Sequence, residues 1–585
     1  MTPITPKPHD DSVHANDEKQ PQQSHSETIT SASISKTISS TLPSASKCDS
    51  ATPIFPRSAS VAEATINAEH SMTLHQGIRQ FPKAIAWSVV ISLTLVMEGY
   101  STILVPNLFA MDPFRRRFGD LLPNGSYEIS ANWQTALVNG GLAGQILGLF
   151  VTGTVAERIG YRHTLMVGLT AMNLFIFVTF FAGSKGVLLA GQCLLGMPWG
   201  MFQCVCTVYA ADVCPVALRA YLTTWVNACW VLGQLIASIV MRGMISDMTE
   251  WSYRIPFGLQ WIFPLPILVA VCFAPESPWW FIRQNRFADA KASLHRLRTK
   301  PKSVSDVEFD LVLVGTMEGM IETNDREQRM QTGTSYKDCF KGVDRRRTEI
   351  TCMVWIIQIL CGSTFMGFST YFYEQAGIAS SHAFTLSLAQ FALGLIGVII
   401  SWALMSHFGR RTLYLSGQTL TCLFVLLIGI LACIPQPHTN TTSTFTPLNW
   451  SIAALLLAFT LTYDATLGPI CYALVSEMPS TRLRSKTIVL ARNCYNVGGI
   501  VTNVITPRML NPTAWGWGAK TGFFWAGTSV LGLGWSFWRL PEPKGRTFGE
   551  LDELFERGVA AREFGGWAAG DKSSVEGEGG VKEGV

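Results

Sequence analysis

The sequence predicts an all-α membrane protein of twelve transmembrane helices in two six-helix halves. Three observations predict it. The 585-residue chain is 48% hydrophobic and only 15% charged, against about 25% charged in ordinary soluble proteins. Its apolar residues gather in runs of about 20, each long enough to cross a bilayer as a helix. Charged turns recur in the same order at a similar offset, so one half of the chain repeats the other.

The repeat is carried by three pairs. Asp212-Val213-Cys214-Pro215-Val216-Ala217-Leu218-Arg219 is echoed 265 residues on by Glu477-Met478-Pro479-Ser480-Thr481-Arg482-Leu483-Arg484. Each has an acid, a proline two or three residues later and an arginine seven residues later. Pro275-Glu276-Ser277-Pro278 returns 266 residues on as Pro541-Glu542-Pro543-Lys544, and Gly160-Tyr161-Arg162 returns 249 residues on as Gly409-Arg410-Arg411. A longer loop at 434–449 than at 184–186 accounts for the growing offset.

Residues 1–75 are rich in Ser, Thr, Pro, Gln and Lys and are expected to be a disordered cytoplasmic tail. No apolar h-region stands near the N-terminus, so the first span is expected to target the membrane itself. The first six spans are 84–105, 132–154, 163–183, 187–211, 221–244 and 256–274, an N-terminal half over 84–274. Segment 276–348 is a polar cytoplasmic linker whose spaced apolar residues at 281–283, 288–297 and 307–320 predict short helices. The second six are 349–373, 384–405, 412–433, 450–475, 487–508 and 520–540, a C-terminal half over 349–540, with a cytoplasmic tail at 541–585.

Topology has its own check. With both termini inside, the loops after spans one and nine lie outside, and each holds an N-glycosylation sequon, Asn124-Gly125-Ser126 and Asn440-Thr441-Thr442. Arg158, Arg162, Arg219, Arg410, Arg411, Arg482 and Arg484 fall on the inner side, as the positive-inside bias requires. Arg115-Arg116-Arg117 falls outside, against that bias, with Asp112, Asp120 and Glu128 nearby to offset it. The net charge of +4 and the lack of a basic run interleaved with aromatics set nucleic-acid binding aside. The 14 cysteines sit mostly inside apolar runs and read as small buried residues rather than disulfides or metal ligands. Gly140, Gly144 and Gly148 line one face of span two, a surface for close helix approach.

The turn Gly153-Thr154-Val155-Ala156-Glu157-Arg158-Ile159-Gly160-Tyr161-Arg162 resembles the G-x-x-x-D-R-x-G-R-R turn of the major facilitator superfamily, with Glu157 for the Asp. Its second copy, Ser406-His407-Phe408-Gly409-Arg410-Arg411, keeps the glycine and the basic end. With the Pro-Glu and acid-to-arginine cassettes, residues 84–556 resemble a sugar porter of that superfamily. A closer resemblance is to fungal maltose (α-glucoside) permeases. It rests on Met97-Glu98-Gly99-Tyr100, Gly196-Met197-Pro198-Trp199-Gly200, residues 221–227, residues 369–377 and residues 477–486.

The chemistry of the turns suggests a gate. Glu157, Arg158, Arg162, Asp212, Arg219, Glu276, Arg410, Arg411, Glu477, Arg482, Arg484 and Glu542 stand at inner helix ends, where acids and arginines can pair across the halves and part when the inner side opens. Ionisable residues deep in a span are functional candidates. Glu98 and Asp464 can bind a proton, and Arg492 can hold a carboxylate ionised. A sugar needs amides for its hydroxyls and rings for its apolar faces. Gln234, Gln358, Asn493 and Asn496 supply the first, Tyr371 and Tyr373 the second. Gln358 with Gly362 resembles the Q-Q-x-x-G pattern of sugar porters, with Ile359 in place of the second glutamine. Gly468-Pro469-Ile470-Cys471-Tyr472 resembles their G-P-x-x-W/Y break. Two departures stand out: Ser101 where proton-coupled members carry Asp, and Gln192 where hexose members carry Arg.

The resemblance implies a monomeric plasma-membrane carrier of maltose or a related α-glucoside, working by alternating access with proton symport and no cofactor or metal. An uncoupled facilitator is the second reading, motivated by Ser101. A non-transporting sugar sensor is the third, disfavoured by the short Gly/Glu-rich tail. No nucleophile–base pair, metal cluster or phosphate loop points to an enzyme.

Overall fold

Each apolar run folds as a helix because lipid offers its backbone no hydrogen-bonding partner. The computed structural model describes residues 72–109, 111–121, 127–244, 247–302, 304–329, 335–375, 380–434, 447–510 and 515–565. All of them fall within one compact unit, Arg57–Val585. The first six spans are Pro82–Leu108, Ala131–Ile159, Tyr161–Phe180, Lys185–Val213, Val216–Met244 and Trp251–Val271. Span seven runs as Gly342–Leu360, Thr364–Gly367 and Ser369–Gln375. Spans eight and nine are Ser380–His407 and Arg410–Leu431, and span ten is Pro447–Ala465 resumed by Leu467–Glu477. Spans eleven and twelve are Arg484–Leu510 and Thr521–Arg539. All twelve predicted spans coincide with helix.

Among the described residues, nine of these helices are long and apolar enough to cross a membrane by length and composition alone. Spans seven and eleven have local reasons to fall short. Span seven breaks where Gly362 takes φ 91°, a conformation glycine adopts freely. Span eleven carries Arg484, Lys486, Arg492 and Arg508. Span ten, one of the nine when counted whole as Pro447–Glu477, also breaks, at Thr466 just before Pro469, whose ring clashes with the preceding turn.

Two tight contacts set the helix positions. A Cβ on Gly144 would lie 2.0 Å from the Cys193 carbonyl oxygen, and one on Gly148 2.1 Å from that of Met197. The predicted glycine face therefore packs span two directly on the span-four backbone. At Gly140, the third of the set, the nearest atoms a Cβ would meet are side-chain atoms of Leu189, Cys193 and Gln192. The second contact was not foreseen: a Cβ on Gly99 of span one would lie 2.0 Å from the Trp230 carbonyl oxygen, and one on Gly233 of span five 2.0 Å from that of Val96.

Between spans six and seven stand helices Pro278–Arg283, Phe287–Leu297 and Asp306–Arg329 and a single turn, Asp338–Phe340. The third is longer than its apolar pattern predicts. Span seven's helix begins at Gly342, so residues 342–348, read as linker, are continuous with it. Helix Phe548–Glu556 follows span twelve and opens with a capping box between Thr547 and Glu550. Between spans one and two, Asp120–Leu121 pairs antiparallel with Tyr127–Glu128 in a two-residue ladder. The Arg115–Arg117 run is tied to backbone: Arg115 Nε donates to the Phe109 carbonyl at 2.5 Å and Arg117 to that of Gly183 at 3.3 Å. Asn124 and Asn440 lie outside the described residues.

Candidate functional site

The tight pairing of spans one with five and two with four brings three polar side chains together inside the bundle. Glu98 projects from span one and is 1% exposed. Its Oε1 accepts from Gln145 Nε2 of span two at 3.2 Å and from Gln203 Nε2 of span four. Arg492 of span eleven reaches the same oxygen at 3.5 Å, and its Nε donates to Gln203 Oε1. The amide of Gln203 is thus fixed in one orientation, with its oxygen toward the guanidinium and its nitrogen toward the carboxylate. Glu98 Oε2 is buried without a hydrogen bond.

Arg492 does not snorkel to an aqueous surface. It is 5% exposed, and its guanidinium lies 4.4 Å from the Trp355 ring centroid and 4.3 Å from that of Tyr495. Both contacts have cation–π geometry. Trp355 in turn meets Tyr472 edge-on at 5.0 Å. The carboxylate and its two amides come from the first half, the guanidinium and its aromatic cage from the second.

Other predicted polar residues surround or leave this centre. Asn493 and Asn496 are buried beside Arg492 in sequence, and neither side-chain amide makes a hydrogen bond. Gln358 is buried in span seven and directs its amide at the Leu467 and Gly468 carbonyls, 3.4 Å from each, where span ten resumes. Gln234 is buried in span five. Asp464 does not join Glu98. It is buried among Asn227 of span five and Gly394 and Gly397 of span eight. Tyr373 is fully buried and donates to Gln390 at 3.3 Å, away from the Glu98 centre. Tyr371 lies on the same short helix, Ser369–Gln375.

The charged turns divide into two kinds. Some act within a half. The Glu276 carboxylate accepts from the backbone N–H groups of Tyr161 at 3.0 Å, Arg162 at 2.9 Å and Ser277 at 3.0 Å. Glu542 repeats this on Arg410 at 2.9 Å, Arg411 at 2.9 Å and Lys544 at 3.1 Å. Each acid caps the N-terminus of span three or nine, where orphan N–H groups and the helix dipole favour negative charge. Gly160, at φ 89°, admits the carboxylate, since a Cβ there would lie 2.4 Å from Glu276 Oε2. Arg162 and Arg411 turn back to the carbonyls of Cys272 and Phe537. These four residues were expected to pair across the halves. They instead hold each half together, because the helix N-terminus of their own half is the nearer partner. Burial of Glu276 holds its carboxyl above the usual carboxylate range.

Others do cross. Asp212 pairs with Arg484, 0% and 1% exposed in their side chains. Glu157 pairs with Lys486 and accepts from Ser485 Oγ at 3.4 Å. Asp212 also accepts from Ser277 Oγ at 2.9 Å. Glu477 meets Arg410 at 3.7 Å within the second half. Arg219 and Arg484 flank the Phe548 ring at 3.7 and 3.8 Å. Arg158 is exposed and Arg482 half-buried. The charged end of the two halves is closed in this structure.

Sequence reasoning missed Gln145, Gln203 and Lys486. A neutral amide in a span carries no warning of its partner, and Lys486 looked like part of the basic cassette.

A family model described as "Sugar (and other) transporter" matches residues 87–555. The general alpha-glucoside permease of Saccharomyces cerevisiae is 40% identical over 500 residues, 85% of this chain and 79% of that protein. The yeast maltose permease MAL61 is 42% identical over 501 residues, 85% of this chain and 80% of that protein. Among solved structures, the proton:xylose symporter XylE bound to 6-bromo-6-deoxy-D-glucose superposes with a TM-score of 0.69 at 17% identity, covering 81% of this chain and 99% of that one. A partially occluded inward-open form of XylE from E. coli gives 0.62 at 16% identity, covering 80% and 100%.

Proposed function

This chain belongs to the sugar transporter family of the major facilitator superfamily, and on that premise we propose that it carries α-glucosides such as maltose across the plasma membrane with proton symport. It is a membrane transporter rather than an enzyme. The observation that carries the coupling is the single Glu98 carboxylate, held on Oε1 by donors from both halves and buried without a bond on Oε2. Oε2 is where a proton would bind. With Glu98 ionised, Arg492 draws the halves together. With Glu98 protonated, that attraction is lost and the halves are free to rock about the midplane, as alternating access requires.

Asn493 and Asn496 present buried amides for sugar hydroxyls, and Trp355 and Tyr495 present rings around the adjacent Arg492, with Tyr472 against Trp355. Asp212–Arg484 and Glu157–Lys486 form the cytoplasmic gate, with both termini on that side. The α-glucoside assignment is supported by the relatives' names and identities. A facilitator is the second reading, favoured by Ser101, a buried hydroxyl three residues past Glu98 where resembling symporters carry a carboxylate.

The test is maltose-induced external alkalinisation in cells lacking their own maltose carriers, with labelled-maltose entry recorded in the same sample. Sugar entering with protons supports symport. Sugar entering without them leaves the facilitator. Neither moving, with the protein present at the surface, rejects maltose as substrate.

A further inference from the structure

Helix Phe548–Glu556 touches the gate at one end and the base of span seven at the other. Phe548 sits between the Arg219 and Arg484 guanidiniums. One turn on, Asp552 Oδ1 bonds Arg347 Nη1 at 2.6 Å, with side chains 2% and 4% exposed. Asp552 Oδ2 is buried with no hydrogen bond. Asp344, three residues before Arg347, is buried too and faces the same guanidinium, with Ser480 beside it.

Among the described residues, the other charges near the trio are engaged elsewhere. Arg326 approaches Asp552 but pairs with Glu556 at 3.3 Å. Asp338 lies near Asp344 and pairs with Lys341 at 2.8 Å. Arg346 turns to the Phe555 and Phe564 rings and the Val559 carbonyl. Two buried carboxylates therefore share one arginine. Like charges at one site cannot both ionise without cost, and a buried net charge is expensive.

We propose that Asp344, Arg347 and Asp552 form a proton-binding site that docks helix Phe548–Glu556 against the gate. One proton taken up by the pair of acids neutralises the trio when the helix is down. When the helix lifts, Asp552 regains water and Arg347 is left balanced by Asp344 alone, so the proton is released.

Burial holds the Asp552 carboxyl above the usual carboxylate range. An acid whose docked pKa exceeds its undocked value binds its proton better when docked. Docking therefore strengthens as pH falls and is lost as pH rises through the docked value. Resting on the symport reading, the consequence is feedback: imported protons acidify the inner side, and the helix then holds the gate shut.

Hydrogen–deuterium exchange of residues 548–556 tests this on the purified full chain without sugar. Rates are compared between about pH 5.5 and 7.5 after correction for intrinsic exchange. Protection is expected to rise as pH falls, by up to about tenfold per pH unit, the limit for one linked proton. Asp552→Asn and Asp344→Asn should each flatten that slope. A wild-type slope of zero or of opposite sign overturns the proposal, as does a slope that survives in Asp344→Asn, the variant that keeps the helix contact should Asp552→Asn misfold. A chain that shows the slope yet moves no maltose overturns the transport reading and leaves the site standing.

Discussion

A carboxylate at mid-membrane costs about 2.5 to 3.5 kcal/mol on insertion scales, and Glu98 is held by donors on three other helices. If Oε2 carries the proton, Glu98→Gln removes it while keeping shape and the amide contacts. Sugar-dependent alkalinisation should fall to background, whereas maltose counterflow, which needs no net proton movement, should persist. Proton uptake surviving in that variant would move the coupling elsewhere, with Asp464 the next carboxylate to test. Gln203 acts through its neighbours, so Gln203→Ala should loosen both Glu98 and Arg492. Losing a hydrogen bond to a charged group costs about 1.5 to 3 kcal/mol, an expected loss of roughly ten- to a hundredfold in coupled uptake. The pH profile of uptake should shift as well, and Gln203→Glu should not restore it. At this scale Glu98 and Arg492 were legible as charges with no cheap place to be. Gln203 and Gln145 were not, because only the tertiary packing of spans two and four decides what a buried amide meets.

Helices repeat the lesson with a different emphasis. The four-residue glycine spacing of span two signalled a close neighbour, and span four supplies it through its carbonyls. A methyl on Gly144 would strike the Cys193 backbone, which cannot step aside. Gly144→Ala should therefore lower stability by about 1 to 3 kcal/mol, read as a drop in the melting temperature of the purified protein. Gly140→Ala meets side chains first, the nearest the end of Leu189, and should be distinctly milder. Equal effects would mean that the two helices slide apart to accommodate either methyl. The span-one and span-five contact was hidden because each helix brings a single glycine to it, Gly99 and Gly233, not a row. The Glu276 and Glu542 caps were visible as repeated motifs, but their bonding was not: the helix N-terminus each one caps lies over a hundred residues earlier.

At the scale of the whole molecule, the duplicated acid-to-arginine spacing pointed to a gate, and the fold crosses the cassettes: the acid of the first copy meets the arginine of the second. Sequence could not supply that crossing, because within each copy acid and arginine are equally near. Asn503 to Asn139 at 3.2 Å and Trp402 to Thr224 at 2.9 Å add two further ties between the halves. Asp212→Asn takes the negative charge from a guanidinium that is 1% exposed, and breaking such a buried pair costs about 3 to 5 kcal/mol. That cost falls on the closed state alone, because opening returns Arg484 to water. The equilibrium should then move toward the state open at the charged end. Cys204 reports it: its thiol is buried against the Ser485 carbonyl at 3.5 Å, directly behind the gate. Alkylation of Cys204 by a hydrophilic maleimide, quantified by mass spectrometry, should accelerate at least tenfold in Asp212→Asn, a change well within that energy. Glu157→Gln should do less, since Glu157 is 26% exposed and its pair with Lys486 is partly solvated. Unchanged labelling in Asp212→Asn would place the closing force in the ties between the spans and leave the charged turns to hold each half in shape.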